Sequence, residues 1–185
     1  MKALSLKQPW EWAVRTVGVD KNIENRSWWS AYRGPVWIAA SAQVTRRYYE
    51  EASEMIAQLC GCRPPPLSEL PLGAITCRVD IVDCIAPGGR VCHVSNGRLD
   101  LGNVHHDKEH PLHPAKWHFS DQFGYVLENR VTLAQPVACK GLQRFWNVPE
   151  GVMQSAGGRR PSRWCLQRFW NVPEGVMAQL REVSA

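Results

Sequence analysis

Apolar and polar positions alternate along Lys2–Leu6, a period of two that predicts a short strand. The following QPWEWAVRTVG (8–18) reads as a helix, with Pro9 in its first turn and Gly18 just past its end. Residues 23–28 suit an extended segment, and PVWIAAS (35–41), entered through Gly34, is an apolar run of strand length. From Thr45 onward Tyr49, Ala52, Met55, Ile56 and Leu59 recur at helical spacing, with Thr45 as N-cap and Gly61 as stop. RPPPLSELP (63–71) cannot continue a helix and predicts a surface connection. Beyond it GAITCRVDIVDCI (73–85) alternates again, with Ile75, Cys77, Val79 and Ile81 on one face.

Residues 86–120 are rich in Gly, His, Pro and Asp and carry no sustained period, which predicts a long loop or an insertion. FGYVLENRVTL (123–133) and QRFWNV (143–148) regain strand character. Mostly strands with one or two helices packed outside them predict an α+β fold or a small barrel. The string LQRFWNVPEGVM occurs twice, at 142–153 and 166–177, with no mismatch. Two copies absent elsewhere do not make a solenoid, which needs several stacked units. The string therefore reads as one strand-bearing segment that has been duplicated. The first copy follows Cys139, Lys140 and Gly141; the second follows Arg163, Trp164 and Cys165 and continues into the helix-like AQLREV. The expected organisation is a single domain over 1–153, with 86–120 as its loop or insertion, then linker, second copy and tail over 154–185.

Composition adds constraints. The 185 residues are 44% hydrophobic and 21% charged, ordinary globular usage. No apolar run approaches the roughly 18 residues that span a bilayer, and the N-terminus lacks a secretory pattern, so no membrane partner and a cytoplasmic location are expected. Seven scattered cysteines, an odd number, read as reduced thiols. A net charge of +5 with nine tryptophans is compatible with nucleic acid, since cations meet phosphates and rings stack on bases. All six histidines lie between His93 and His118, but Pro111 and Pro114 interrupt any helix that would align them. No zinc-type pair spacing is present, so a solvated loop without metal is expected. No P-loop, Rossmann fingerprint or nucleophile elbow occurs, and no cofactor is implied.

Four stretches, ALSLKQPWEWA, VGVDKNIENRSW, YRGPVWIAAS and LPLGAITCRVDIVDCI, taken in order, resemble the ASCH domain, the activating-signal-cointegrator homology branch of the PUA-like superfamily. Gly18, Lys21, Glu24 and Arg26 match that family's Gly and Lys-x-x-Glu-x-Arg hallmark, with one extra residue between Gly and Lys. GYVLENR and CKGLQRFWNVP continue the likeness, which covers residues 2–152 apart from the His-rich stretch. The resemblance implies a small, partly open, PUA-like mixed β-barrel with flanking helices and a cleft holding the Lys, Glu and Arg.

Side-chain alternation puts Glu24, Arg26 and Trp28 on one face of an extended segment, with Lys21 just before it. That set suits a nucleobase or nucleotide. Glu24 accepts from an exocyclic amine, Trp28 or Trp10 stacks, and Lys21 or Arg26 neutralises phosphate. By family analogy Lys7 and Gln8 border the cleft, and Ser41 joins the expected binding residues. The bland alternative is a partly exposed Glu24–Arg26 ion pair beside core tryptophans.

Three function classes follow. The first is a module binding RNA, other nucleic acid or a nucleotide. The second, known among PUA-like relatives, is an amidohydrolase removing an acyl group from N4-acylcytidine; Lys21, Glu24 and Ser27 would then be catalytic, with Ser5 and Ser41 nearby. Here Glu24 stands where the hydrolytic branch has a Thr, and Ala39 and Ala42 stand where many relatives carry His and Lys. The third class is a protein-interaction domain.

Overall fold

In the computed structural model, described for residues 1–92, 94–95, 98–99 and 116–155, the chain forms a mixed sheet with few helices. The elements are β1 (Lys2–Leu6), α1 (Trp10–Arg15), β2 (Ile23–Arg26), β3 (Gly34–Ala40), α2 (Arg46–Cys60), β4 (Ala74–Ala86), β5 (Arg90–Val91), β6 (Val94–Ser95), β7 (Arg98–Leu99), β8 (Phe123–Ala138), β9 (Phe145–Asn147) and α3 (Glu150–Ser155). Residues 1–148 make one compact unit; α3 belongs to a second, which begins at Pro149.

Strands run in the order β2-β8-β4-β3-β1-β9, with β5 added to β4 and β6 paired to β7 in a small separate ribbon. The β1–β3 pair is parallel; the other ladders of the main sheet are antiparallel. β2 and β1 stand far apart in that order, yet Arg26 Nη2 donates to the Ser5 carbonyl at 2.8 Å. The sheet therefore curls into a half-barrel, and the fold is of the α+β type.

Two apolar clusters hold it. Leu4, Leu6, Val36, Ile38, Cys77, Val79, Ile81, Cys84, Tyr125 and Leu127 fill the concave side. Ala13, Val19, Ile23, Ile56, Ile85, Trp117 and Val126 fasten the helices outside. Along β4, Cys77, Val79 and Ile81 keep the two-residue period, but Cys84 joins them three positions later. A register shift between Ile81 and Asp83 supplies the missing residue and turns Ile85 to the other cluster.

Helix α2 has the expected caps: Thr45 accepts from the Tyr48 N–H, and Gly61 closes the helix in the left-handed region at φ 74°. Tyr49, Ala52 and Ile56 are its buried stripe. Helix α1 ends at Arg15, short of the expected Gly18, because its last carbonyls find donors elsewhere: Arg130 donates to Val14 O and Thr132 to Arg15 O. Strand β8 runs to Ala138, beyond the expected 133. Its Pro136 lies in the register shift between Thr132 and Val137, where no ladder bond is required of it.

The expectation of a long loop over 86–120 needs correction at both ends. Residues 87–91 form a turn and β5, and Trp117 is only 2% exposed, in the outer cluster. Asn25 fixes this segment by donating to Trp117 O and accepting from Phe119 N, at 2.8 and 2.9 Å. Five of the six histidines lie outside the described residues, as do the linker beyond Ser155 and the second copy of the repeated string. The first copy supplies β9, in which Trp146 faces Ala3 of β1 and donates to Ser5 Oγ at 3.0 Å. Gly141 lies against that hydroxyl so closely that a Cβ there would sit 2.5 Å from Ser5 Oγ. No helix among the described residues is long and apolar enough to cross a membrane.

Candidate nucleic-acid interface

Where the curled sheet brings β2 back beside β1, an open cleft of about 590 Å³ forms. Strand β2 aims Ile23 into the outer cluster and, by alternation, Glu24 and Arg26 into the cleft. Glu24 grips two cations, with Lys21 Nζ 2.9 Å from Oε2 and Arg26 Nη2 3.1 Å from Oε1. Lys21 Nζ also donates to the Ile23 carbonyl. Lys21 is 3% and Glu24 7% exposed, so the triad forms the floor of the cleft.

Loss of water pulls the Lys21 ammonium below its ordinary 10.5; the Glu24 carboxylate pushes the other way, and Arg26 adds slightly to the lowering. Burial raises the Tyr48 hydroxyl above its ordinary value. Arg26 Nε is a buried donor with no hydrogen-bond partner among the described residues.

Aromatic rings line the walls. Trp10 donates through Nε1 to Tyr48 OH at 3.1 Å, lies edge-on to Phe119 at 6.0 Å, and holds its ring 5.7 Å from Lys21 Nζ. Lys7 Nζ stands 4.7 Å from the centre of the Tyr48 ring. On the opposite wall Trp28 is edge-on to Tyr125 and Phe145 at 5.5 and 5.3 Å, with the Arg144 guanidinium 5.8 Å from its ring. The Tyr125 hydroxyl donates to Trp28 O at 2.8 Å and fixes the backbone there.

Of the residues singled out from the sequence, Lys7, Trp10, Lys21, Glu24, Arg26, Ser27, Trp28 and Ser41 all line this cleft, as does Ser5. Gln8 does not. It is fully buried, donates to Glu11 Oε2 and Pro71 O, and accepts from Trp12 N, so its amide is spent joining α1 to the segment before β4. The simple Glu24–Arg26 pair also needs enlarging, since the buried Lys21 makes it a triad. Tyr48, Asn25, Phe119, Gln122 and Arg144 line the cleft without having been singled out. Tyr48 lies outside the apolar stripe of α2, and Phe119 lies in a stretch with no period. Arg144 could have been found, since it follows the CKG entrance to the first copy. Among the described residues no group of three or more His, Cys, Asp or Glu is placed to hold a metal ion.

No family model matches the chain. Two curated proteins do. Activating signal cointegrator 1 of Homo sapiens is 35% identical over 156 residues, covering 83% of this chain and 23% of that protein. The Mus musculus protein of the same name is 35% identical over 86 residues, covering 45% of this chain and 14% of its own length. The chain thus corresponds to one part of a much longer relative. Identity of 35% carried along 83% of its length makes this chain an ASCH-type domain, of the kind named after activating signal cointegrator 1.

Proposed function

We propose that the chain is a nucleic-acid-binding module that receives a base of single-stranded RNA, or a modified base, in the cleft. The observation that carries this reading is the Lys21–Glu24–Arg26 triad on the floor of an open cleft walled by Trp10 and Trp28. Each Glu24 oxygen keeps a lone pair for an exocyclic amine, and the Arg26 guanidinium beside it suits a base carbonyl. Lys7 and Arg144, on the rim, suit the phosphates on either side. Homology to activating signal cointegrator 1 supports a nucleic-acid-related role in general.

The test is a titration of short labelled RNA and DNA into the full chain by fluorescence anisotropy at several salt concentrations. Binding should weaken as salt rises, and Lys7→Ala should lower the slope of log K against log salt by about one unit. Absence of affinity for any RNA, DNA or modified nucleoside at low salt would defeat the reading.

A second reading, amidohydrolysis of an N4-acylated cytidine, draws on one observation. Burial lowers the Lys21 pKa toward the range useful for a general base, with Ser27 and Ser41 lining the same cleft. Turnover of N4-acetylcytidine that disappears in Lys21→Ala would rank this reading first.

A further inference from the structure

Away from the cleft floor, β4 and β5 form a tight antiparallel hairpin in which Ile85 faces Val91 and Ala86 faces Arg90. Continuing the same register by one step sets Cys84 opposite Cys92, and each thiol shifts the pKa of the other. Directly opposed residues of antiparallel strands hold their Cα atoms about 4.5–5.5 Å apart, inside the window of about 4.4–6.8 Å that a disulfide spans. Cys84 is fully buried in the inner cluster, and Cys92 packs half-buried against it.

We propose that Cys92 and Cys84 form a dithiol oxidation site, with Cys92 as the attacking and Cys84 as the resolving sulfur, which a hydroperoxide converts to a cross-strand disulfide. The division of roles follows from their surroundings. The Cys92 thiol is held below its ordinary 9.0, first by the hydrogen bond from Cys84 and then by the Arg33 guanidinium, against burial and Asp83. Cys92 is also the half-buried member of the pair while Cys84 is fully buried, so a peroxide meets the Cys92 thiolate first. Burial pushes the Cys77 thiol up to about 12 and also raises that of Cys139, which leaves both inert. Cys60 and Cys62 are the comparison pair: Cys62 Sγ turns to the Cys60 carbonyl at 3.6 Å, and its contact with the Cys60 side chain raises its pKa.

In the first step the Cys92 thiolate attacks one peroxide oxygen. An S–O bond forms, the O–O bond breaks, and the departing oxygen leaves as hydroxide, or as alkoxide from an organic peroxide, and takes a proton. In the second step the Cys84 sulfur attacks the sulfenic sulfur of Cys92. The S–S bond forms, the S–O bond breaks, and the departing hydroxide takes the Cys84 proton as water. Two thiols are oxidised, and one hydrogen peroxide is reduced to two waters. The product is linked to the cleft wall through Tyr125, the ladder partner of Cys84, whose hydroxyl fixes the Trp28 carbonyl.

The experiment uses the reduced full chain, treated with hydrogen peroxide and digested by trypsin without reductant. Cleavage after Arg78, Arg90 and Arg98 places the two cysteines on separate peptides, 79–90 and 91–98. Mass spectrometry should find these joined, two hydrogens lighter than their sum. In Cys84→Ala, dimedone should label Cys92 at least about tenfold faster than Cys139. Peptides 79–90 and 91–98 staying unlinked while Cys60 and Cys62 oxidise would overturn the proposal, as would equal labelling of Cys92 and Cys139. Where Cys84→Ala does not fold, the joined peptides of the unaltered chain decide alone.

Discussion

Glu11 and Glu24 are both buried glutamates, and each bonds an arginine a few residues further along the chain. Around Glu11 the chain supplies every partner. Gln8 Nε2 reaches Oε2 at 2.5 Å, while Thr76 Oγ1 and Arg15 Nε share Oε1 at 2.5 and 2.9 Å. The group is closed, and it ties α1 to β4. Around Glu24 the partners are two cations. The group borders open space, and Arg26 retains a donor that no described residue accepts from. Burial of a carboxylate therefore does not by itself separate a site from a strut. The distinguishing feature is that the Glu24 group lines an open cleft, whereas Glu11 does not.

This contrast can be broken by experiment. Replacing Glu11 by Ala strands the Gln8 amide, the Thr76 hydroxyl and one face of Arg15, and should cost about 3 kcal/mol in urea denaturation with affinity per folded molecule unchanged. If Glu24→Ala proved the more destabilising of the two, the division between strut and site would fail. Arg26→Ala should weaken oligonucleotide binding about tenfold, roughly 1.4 kcal/mol. Its effect on unfolding should be smaller than that of Glu11→Ala, and the reverse order would make Arg26 a structural residue.

Lys21 sharpens the comparison through pH. Its folded pKa lies below 10.5, so between that lowered value and 10.5 the unfolded chain holds a proton that the folded chain has released. Stability contributed at this position therefore rises with pH across that window, by at most about 1.4 kcal/mol per pH unit. Lys21→Met should flatten the rise when unfolding free energies are compared from neutral pH to 10.5. A wild-type curve that falls relative to the variant would contradict the sign. The smallest effect is expected from Ser41→Ala on the cleft rim, an affinity change within about twofold. A loss as large as that of Arg26→Ala would move the ligand's contacts away from the triad.

Much of the fold was legible because its signals are local. Alternation at Lys2–Leu6, the apolar run leading into Ala39 and Ala40, the stripe and caps of α2 and the alternating β4 each depend on neighbours a few residues away. The shared face of Glu24 and Arg26 was legible for the same reason, since extended geometry orders them, while Lys21, just before the strand, was singled out through the family resemblance. What escaped depends on distant partners. Trp117 and Phe119 look like loop residues until Asn25, more than ninety positions earlier, holds their backbone. Tyr48 looks like a solvent-facing residue until Trp10 donates to it. Gln8 was assigned to the cleft with Lys7 by family analogy, yet the turn between β1 and α1 sends the two side chains in different directions. The early end of α1 is dictated by Arg130 and Thr132, which no local pattern could announce.

The contact between Gly141 and Ser5 gives the residue in front of the first copy of the repeated string a part in seating β9. Phe-Trp-Asn occurs in both copies of the string, and that of the first copy is the strand paired with β1. The residue in front differs. The first copy is preceded by Gly141, which leaves room for Ser5 Oγ to receive the Trp146 indole and to reach the Leu142 carbonyl at 2.9 Å. The second is preceded by Cys165, whose Cβ in that place would fall 2.5 Å from the same hydroxyl. A single hydrogen atom in place of a side chain is thus what the entrance to β9 requires. Gly141→Cys should loosen the pairing of β9 with β1, readable as weaker protection of the β1 amides in hydrogen exchange.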